Sequence, residues 1–412
     1  MIPAPAVAAL AVRTVRLDDP GDLLALLPEH GALAWVSEGE GLVGWGRAAA
    51  VEVSGPDRFA DAQRWWDAVV AAGEVDDDVR LPGSGLVAFG SFAFDGDTST
   101  SVLVVPEVVV GHRDGAWWLT TVGDAPAVLP PRAAPRRPVG LVFADDVPDG
   151  AQWSAAVADG VARIEAGVLA KVVLARAVVA TADEPVDVRW PLGVLARDYP
   201  ACWTFSVDGL LGATPEVLVR LRDGVATSRV LAGTLRRSGD SNEDLRRGGN
   251  LPRSIKDVEE HGYAVRSVAD SLAPHSTSIE VPAAPFVLEL PNVMHLATDV
   301  TATVAPGTTS LALAEALHPS AAVCGTPTDT ALAVIREVEG MDRGRYAGPV
   351  GWTGASGDGE WGIALRCAAV DQDDPRRLRL FAGCGIVGGS TPAAELAESN
   401  AKLVPMRSAL TP

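Results

Sequence analysis

Apolar and polar residues alternate, or apolar residues cluster between glycines, over most of the first 125 positions. Segments such as LAWVSEGEGLVGWG are typical of strands, and SVLVVPEVVVGHRDGAWWLTTVG predicts a hairpin that turns near Arg113-Asp114-Gly115. A helix is indicated by PDRFADAQRWWDAVVAAG, which Pro56-Asp57 would open. We therefore predict a β-rich N-terminal section, residues 1–135, that packs on the rest of the chain and ends in the proline-rich stretch PPRAAPRRP.

Beyond Asp149 the pattern changes to helices that alternate with strands and hairpins. Apolar residues recur at intervals of three and four and would form one face of a helix, namely Trp153, Val157, Val161, Ile164 and Val168. The strand KVVLARAVVA follows this helix. Further helices are predicted near 186–198, 254–272, 310–317 and 328–339. Because these elements lack the regular repeat of a parallel βαβ fold, we predict an α+β fold over 150–412, with a large, mostly antiparallel sheet core flanked by helices.

Composition excludes several classes of protein. A formal net charge of −19 argues against nucleic acid or an anionic membrane surface as a partner. The four cysteines are scattered without a C-x-x-C pair, which argues against a zinc site and against a disulfide framework. This use of cysteine is typical of a protein in a reducing compartment. No apolar run approaches the roughly 18 residues of a membrane helix, so we expect a cytoplasmic protein that does not enter a membrane.

Lysine is rare in this chain, which has three lysines and 31 arginines. A lysine that persists can be one whose titratable amine or compact charge arginine cannot replace. Lys171 opens a strand directly after an apolar helix, where its ammonium would be destabilised and the neutral amine could act as a base. The alternative is a surface lysine whose stem lies along apolar neighbours.

The C-terminal segment combines a glycine-rich strand end with a charged helix. The strand runs into Gly383–Val387, and Ser390-Thr391-Pro392 would open a helix that carries Glu395, Glu398 and Lys402 on one face. Exposed backbone N–H groups at such a strand–helix junction suit an anion.

Carboxylates three residues apart occur on two predicted helices, as Asp257 with Glu260 and as Glu395 with Glu398. If both helices face one cleft, the four negative charges need a cation, and magnesium prefers such oxygen ligands. Otherwise both pairs are solvated acidic faces. Glu216, which follows the turn GATP, could reach into a cleft as a general acid.

Residues from about 150 to 410 resemble the chorismate-utilising enzymes, which include isochorismate, salicylate, anthranilate and aminodeoxychorismate synthases. The resemblance is carried by nine segments in order, which makes it specific although no single segment would be. They are KVVLAR, GATPE, LAGT, KDVEEH, NVMHL, HPSAAVCGTP, GDGEW…ALRC, AGCGIV and ESNAK.

The resemblance implies a role for each matching position. It makes Lys171 the water-activating base and Glu216 the acid that protonates the departing C4 hydroxyl of chorismate. It makes Glu260 and Glu398 ligands of Mg2+, with Asp257 and Glu395 holding metal-bound water. The implied substrate-binding residues are Gly233, Thr234, Ala322, Arg366, Gly383 and Lys402, and His295 matches a family histidine whose role we leave open.

Two positions separate the members of this family. Anthranilate-type enzymes carry glutamine at the position of Lys171 and take ammonia from a glutaminase, whereas aminodeoxychorismate synthases place a nucleophilic lysine at the position of Ala232. The resemblance therefore implies a magnesium-dependent isochorismate synthase, monomeric and without a glutaminase subunit, that serves siderophore or menaquinone biosynthesis. Salicylate synthase, which continues by eliminating pyruvate, and a non-catalytic chorismate-binding relative are the alternatives.

Overall fold

The computed structural model describes residues 9–129, 133–236, 240, 243, 255–289 and 293–411, with the side chains of 232–236, 255–257, 259–260, 289, 293 and 295 outside the description. Within these residues the helices are α1 (Arg58–Ala72), α2 (Gly150–Glu165), α3 (Arg189–Asp198), α4 (Ile255–Leu272), α5 (Ser310–Leu317), α6 (Thr328–Val338) and α7 (Pro392–Leu410). Short 3-10 helices lie at Leu24–Leu26 and Ala273–His275. None of the described helices is long and apolar enough to cross a membrane.

The strands of the N-terminal section are β1 (Ala11–Leu17), β2 (Leu33–Ser37), β3 (Glu40–Trp45), β4 (Ala49–Val53), β5 (Glu74–Asp77), β6 (Val87–Ser91), β7 (Ser101–Val105), β8 (Val108–Arg113) and β9 (Ala116–Val122). Those that follow are β10 (Val142–Asp145), β11 (Lys171–Thr181), β12 (Trp203–Val207), β13 (Leu210–Thr214), β14 (Val217–Arg222), β15 (Val225–Arg236), β16 (Ser276–Glu280), β17 (Phe286–Glu289), β18 (Val293–Val304), β19 (Gly325–Thr326), β20 (Pro349–Gly354), β21 (Gly359–Ile363), β22 (Cys367–Val370) and β23 (Arg377–Ile386).

The strands form two large sheets. One has the order β10-β11-β23-β22-β13-β12-β2-β3-β8-β9-β1-β5, with β19 beside the start of β11. The other has the order β16-β18-β15-β14-β21-β20-β6-β7-β4, with β17 beside β18. Of the strand pairs described, β1 with β5 is parallel and the others are antiparallel, which confirms the predicted α+β fold with mostly antiparallel sheets.

Both sheets run through the N-terminal section and the remainder of the chain. In the first sheet β2 pairs with β12, and in the second β6 pairs with β20. A buried carboxylate also joins the sheets: Glu360 of β21 accepts hydrogen bonds from Trp35 on β2, from Arg113 on β8 and from Arg222 on β14. The core is therefore shared between the two sections.

The helix boundaries follow local chemistry. Asp149 caps α2 by accepting from the N–H groups of Ala151 and Gln152, and the Gln152 side-chain oxygen accepts from the Asp149 N–H. The predicted apolar face of α2 extends too far, however. The helix ends at Glu165, and Val168 lies beyond it with 50% of its surface exposed.

Candidate active site

Lys171 is the first residue of β11, beside Thr326 of β19. The rest of this apolar strand is mostly buried, whereas Lys171 itself is half-buried at the strand's end. Its stem lies across Gly385 of β23: a Cβ atom at Gly385 would be 3.0 Å from Lys171 Cε and 3.6 Å from Nζ. The glycine-rich end of β23 thus leaves room for the lysine side chain.

Glu216 lies in the turn that carries the chain from β13 in the first sheet to β14 in the second. Its N–H donates to Thr214 Oγ1 at 3.2 Å, and its carbonyl accepts from the Ile363 N–H at 3.0 Å, so the backbone is fixed on both sides. Burial of the carboxyl raises the pKa of Glu216 to about 7, and the positive charges of Lys171, Arg366 and Lys402 oppose that rise. The charges of these three cations therefore favour the ionised form of Glu216, while burial favours the protonated form.

Arg366 lies in the connection between β21 and β22, with a φ of 47° in the left-handed region. Strand β21 ends at Ile363, and the chain turns through Arg366 before β22 begins at Cys367. The Arg366 carbonyl accepts from the Ala213 N–H at 3.3 Å, which ties this turn to β13, just ahead of Glu216. Arg366 Nη1 lies 4.0 Å from the sulfur of Cys202, a buried thiol.

Gly383 and Lys402 connect β23 to α7. Lys402 Nζ donates to the Gly383 carbonyl at 2.9 Å, and Gly383 faces Ala175 of β11. A Cβ atom at Gly383 would be 3.0 Å from the hydroxyl of Tyr346, a buried residue stacked on Phe381. Burial raises the pKa of Tyr346, so its hydroxyl stays protonated and can donate. Sequence reasoning missed this tyrosine, because it lies in a glycine-rich segment with no repeating pattern.

A candidate metal site lies between the end of β23 and the first turns of α7. One ligand atom each of Cys384, Glu395 and Glu398 falls within 4.8 Å of the others. Burial raises the pKa of the Cys384 thiol to about 12, and sulfur is a poor ligand for a hard cation, so the two carboxylates are the ligands suited to such an ion. Oxygen donors are those that magnesium prefers. This half of the predicted set therefore fits Mg2+, while Glu260, on α4, has its side chain outside the described residues.

The remaining predicted residues lie on neighbouring segments. Gly233 and Thr234 belong to β15, at a bulge where the register with β18 shifts between Ala232 and Thr234. Thr234 faces His295, and the side chains of both lie outside the description. Ala322 is exposed in the turn ahead of β19.

Of the predicted residues, Lys171, Arg366 and Lys402 are thus the cations whose charges act on the Glu216 carboxyl. Ala322 belongs to the segment that reaches Lys171 through β19. The arrangement can bind an anion through its cations and can move protons between an amine and a carboxyl of raised pKa.

Comparison with known proteins places this chain in a family. Residues 130–411 match the family described as chorismate binding enzyme. The chain is 40% identical over 276 residues to isochorismate synthase DhbC of Bacillus subtilis, covering 64% of this chain and 69% of that protein. It is 29% identical over 403 residues to isochorismate synthase MenF of the same species, covering 90% and 85%.

Solved structures of isochorismate synthases also resemble this fold. The crystal structure of DhbC from Bacillus anthracis superposes with a TM-score of 0.77 at 31% identity, covering 94% of this chain and 98% of that one. The resemblance seen in the sequence is confirmed by the family match and by these relatives. The chain belongs to the family of chorismate-binding enzymes.

Proposed function

We propose that this protein is an isochorismate synthase, an isomerase that converts chorismate to isochorismate. The observation that carries the proposal is a carboxyl group with a pKa of about 7, Glu216, in one site with the amine of Lys171. An acid and a base whose charges interact suit a reaction that adds and removes a hydroxyl group. The isochorismate synthases among the relatives support the assignment.

In the proposed reaction Lys171 accepts a proton from water as the water oxygen bonds to C2 of chorismate. The ring double bonds shift, the C4–O bond breaks, and Glu216 gives its proton to the departing hydroxyl, which leaves as water. One water enters and one leaves, so the net change is an isomerisation. Arg366 can bind a substrate carboxylate through two parallel N–H donors, and Lys402 adds a second positive charge.

We further propose that Glu260 and Glu398 hold Mg2+, with Asp257 and Glu395 binding its water ligands. A bound magnesium ion would supply positive charge that holds and polarises a substrate carboxylate. Lys402 Nζ lies 2.9 Å from Glu398 Oε1, so α7 links the proposed metal ligand to a proposed substrate ligand.

The identity of residue 171 also indicates whether the enzyme needs a glutaminase partner. Glutamine occupies the corresponding position in the ammonia-using members that the sequence resembles, and a water-activating lysine needs no ammonia. We therefore propose a monomeric cytoplasmic enzyme that works without a glutaminase subunit and supplies isochorismate to siderophore or menaquinone biosynthesis.

The test is chromatography of the products formed from chorismate and magnesium, with Lys171→Arg as the informative variant. A guanidinium, with a pKa above about 12, cannot act as a base near neutral pH, so we expect a loss of about 10²-fold or more in kcat. Isochorismate from the parent and not from the variant supports the proposal. A Lys171→Arg enzyme within a few-fold of the parent would show that Lys171 is not the base.

A further inference from the structure

One edge of β11 is only partly covered by strands. Along its other edge, Val172–Thr181 pairs with β23 without a break. On the open edge, β19 pairs with Lys171 and Val172 and β10 pairs with Val178–Thr181. Among the described strands none pairs with the middle of this edge, and buried backbone groups there need other partners.

A buried ion pair supplies some of those partners. The Ala175 N–H donates to Glu339 Oε2 at 2.7 Å, and the Val173 carbonyl accepts from Arg343 Nη2 at 2.7 Å. Glu339 and Arg343 are joined by two bonds of 2.6 Å, and their side chains are 1% and 3% exposed. Side chains therefore replace a neighbouring strand at this point of the sheet.

The same pair holds the segment that carries Ala322. Arg343 Nη1 donates to the Val323 carbonyl at 2.9 Å, while the Cys324 carbonyl accepts from the Val173 N–H at 2.8 Å. One guanidinium thus bonds both to β11, two residues after Lys171, and to the turn next to Ala322. A planar fork with fixed donor directions sets such a spacing better than a mobile ammonium does.

We propose that Glu339 and Arg343 are positioning residues that fix Lys171 relative to the turn at Ala322. This inference rests on the proposed function, because it gives the pair a role in turnover and not only in folding. Neither residue belongs to the predicted site, and the pair acts through β11. Small displacements of a reacting group cost rate much more than they cost binding.

The experiment compares Arg343→Lys and Glu339→Gln with Asp187→Asn. The control breaks another buried ion pair, Asp187–Arg189, whose side chains are 0% and 5% exposed and whose further hydrogen bonds go to residues 133 and 136. Each protein is assayed for isochorismate formation well below its own Tm, with chorismate binding measured by calorimetry. We expect kcat to fall about 10- to 100-fold in the two test variants, with KM and Kd within a few-fold of the parent.

Asp187→Asn should lower Tm, because it breaks a buried ion pair, but its kcat should equal that of the parent protein. Equal kcat in all three folded variants would overturn the positioning role while leaving the proposed function intact. A parent without isochorismate synthase activity would instead refute the proposed function.

Hydrogen exchange in the unmodified protein covers the case in which the test variants do not fold. The Ala175 N–H should exchange as slowly as the β11 amides bonded to β23, because its acceptor is a buried carboxylate. Rapid exchange at Ala175 would overturn the proposal.

Discussion

Glu216 is a carboxyl group whose surroundings favour the protonated form, with a pKa raised from 4.5 to about 7 by burial. We expect the infrared C=O band of a protonated carboxyl to disappear between about pH 6 and pH 8 in the free protein. Glu216→Gln is the control and should lack this band. A Glu216 carboxyl that is already ionised at pH 5 would contradict the assignment of this residue as the acid.

The same shift makes stability depend on pH. Because the folded state binds this proton more tightly than the unfolded chain, the stabilisation is present below pH 4.5 and is lost as the pH rises through about 7. A carboxyl group that is half-protonated near neutral pH can donate a proton there. The same raised pKa means that ionised Glu216 makes the folded protein less stable above about pH 7.

Gly385 determines how much space the stem of Lys171 has. In Gly385→Ala the new methyl group would lie 3.0 Å from Lys171 Cε, so the flexible side chain must move while the backbone stays. We expect kcat to fall about tenfold with little change in Tm. Gly388→Ala is the matched control, since its Cβ would meet Ile164 Cγ2 at an ordinary 3.9 Å. Equal kcat in both variants would show that Lys171 tolerates displacement.

Among the elements, β11 and α7 were predicted well because their sequences are unambiguous. KVVLARAVVA is a run of apolar and β-branched residues, and Thr391-Pro392 supplies both the cap and the first residue of α7. The end of α2 was misplaced because Val168 keeps the helical period after the helix has stopped. The support of β11 by Glu339 and Arg343 was not predictable, since it depends on contacts more than 160 residues apart.

The carboxylates of Glu395 and Glu398, three residues apart on α7, lead us to expect that activity depends on magnesium. Glu398→Gln removes a proposed magnesium ligand but keeps the shape of the side chain. We expect about 10²-fold lower activity and a higher magnesium concentration for half-maximal rate. Activity assayed over a magnesium titration is the measurement, and Glu337→Gln, which breaks the exposed ion pair to Arg163, is the control. Full activity of EDTA-treated parent protein without added metal would contradict the magnesium proposal.

For the whole molecule, the sequence predicted the fold class but gave no sign that both sheets continue from the N-terminal section into the remainder of the chain. The predicted N-terminal section contributes β2 and β6 to the same sheets as β12 and β20. Pairing across 160 residues or more leaves no local signal, because each strand alone looks like an ordinary alternating segment. The hydrogen bond between Glu360 and Arg113, which joins the two sheets, could not be predicted either, because the two residues are far apart in the sequence.

The product released is also a property of the complete site. Isochorismate can go on to lose pyruvate and give salicylate, a step that needs its enolpyruvyl arm held over the ring near C2. Ala322 stands at one of the substrate-binding positions that the sequence resemblance implies, and its methyl group lacks the hydroxyl and the bulk with which a threonine could orient that arm. Ala322 is exposed in its turn, so a larger side chain can be added there without disturbing the core.

We therefore expect the parent enzyme to release mainly isochorismate, and Ala322→Thr to release measurable salicylate and pyruvate at an unchanged Tm. Ala322→Val is the matched control, because valine adds similar bulk without a hydroxyl and should leave the product unchanged. Chromatography of both products over a time course separates slow pyruvate loss in solution from loss on the enzyme. Salicylate as the main product of the parent would contradict this expectation and favour a salicylate synthase.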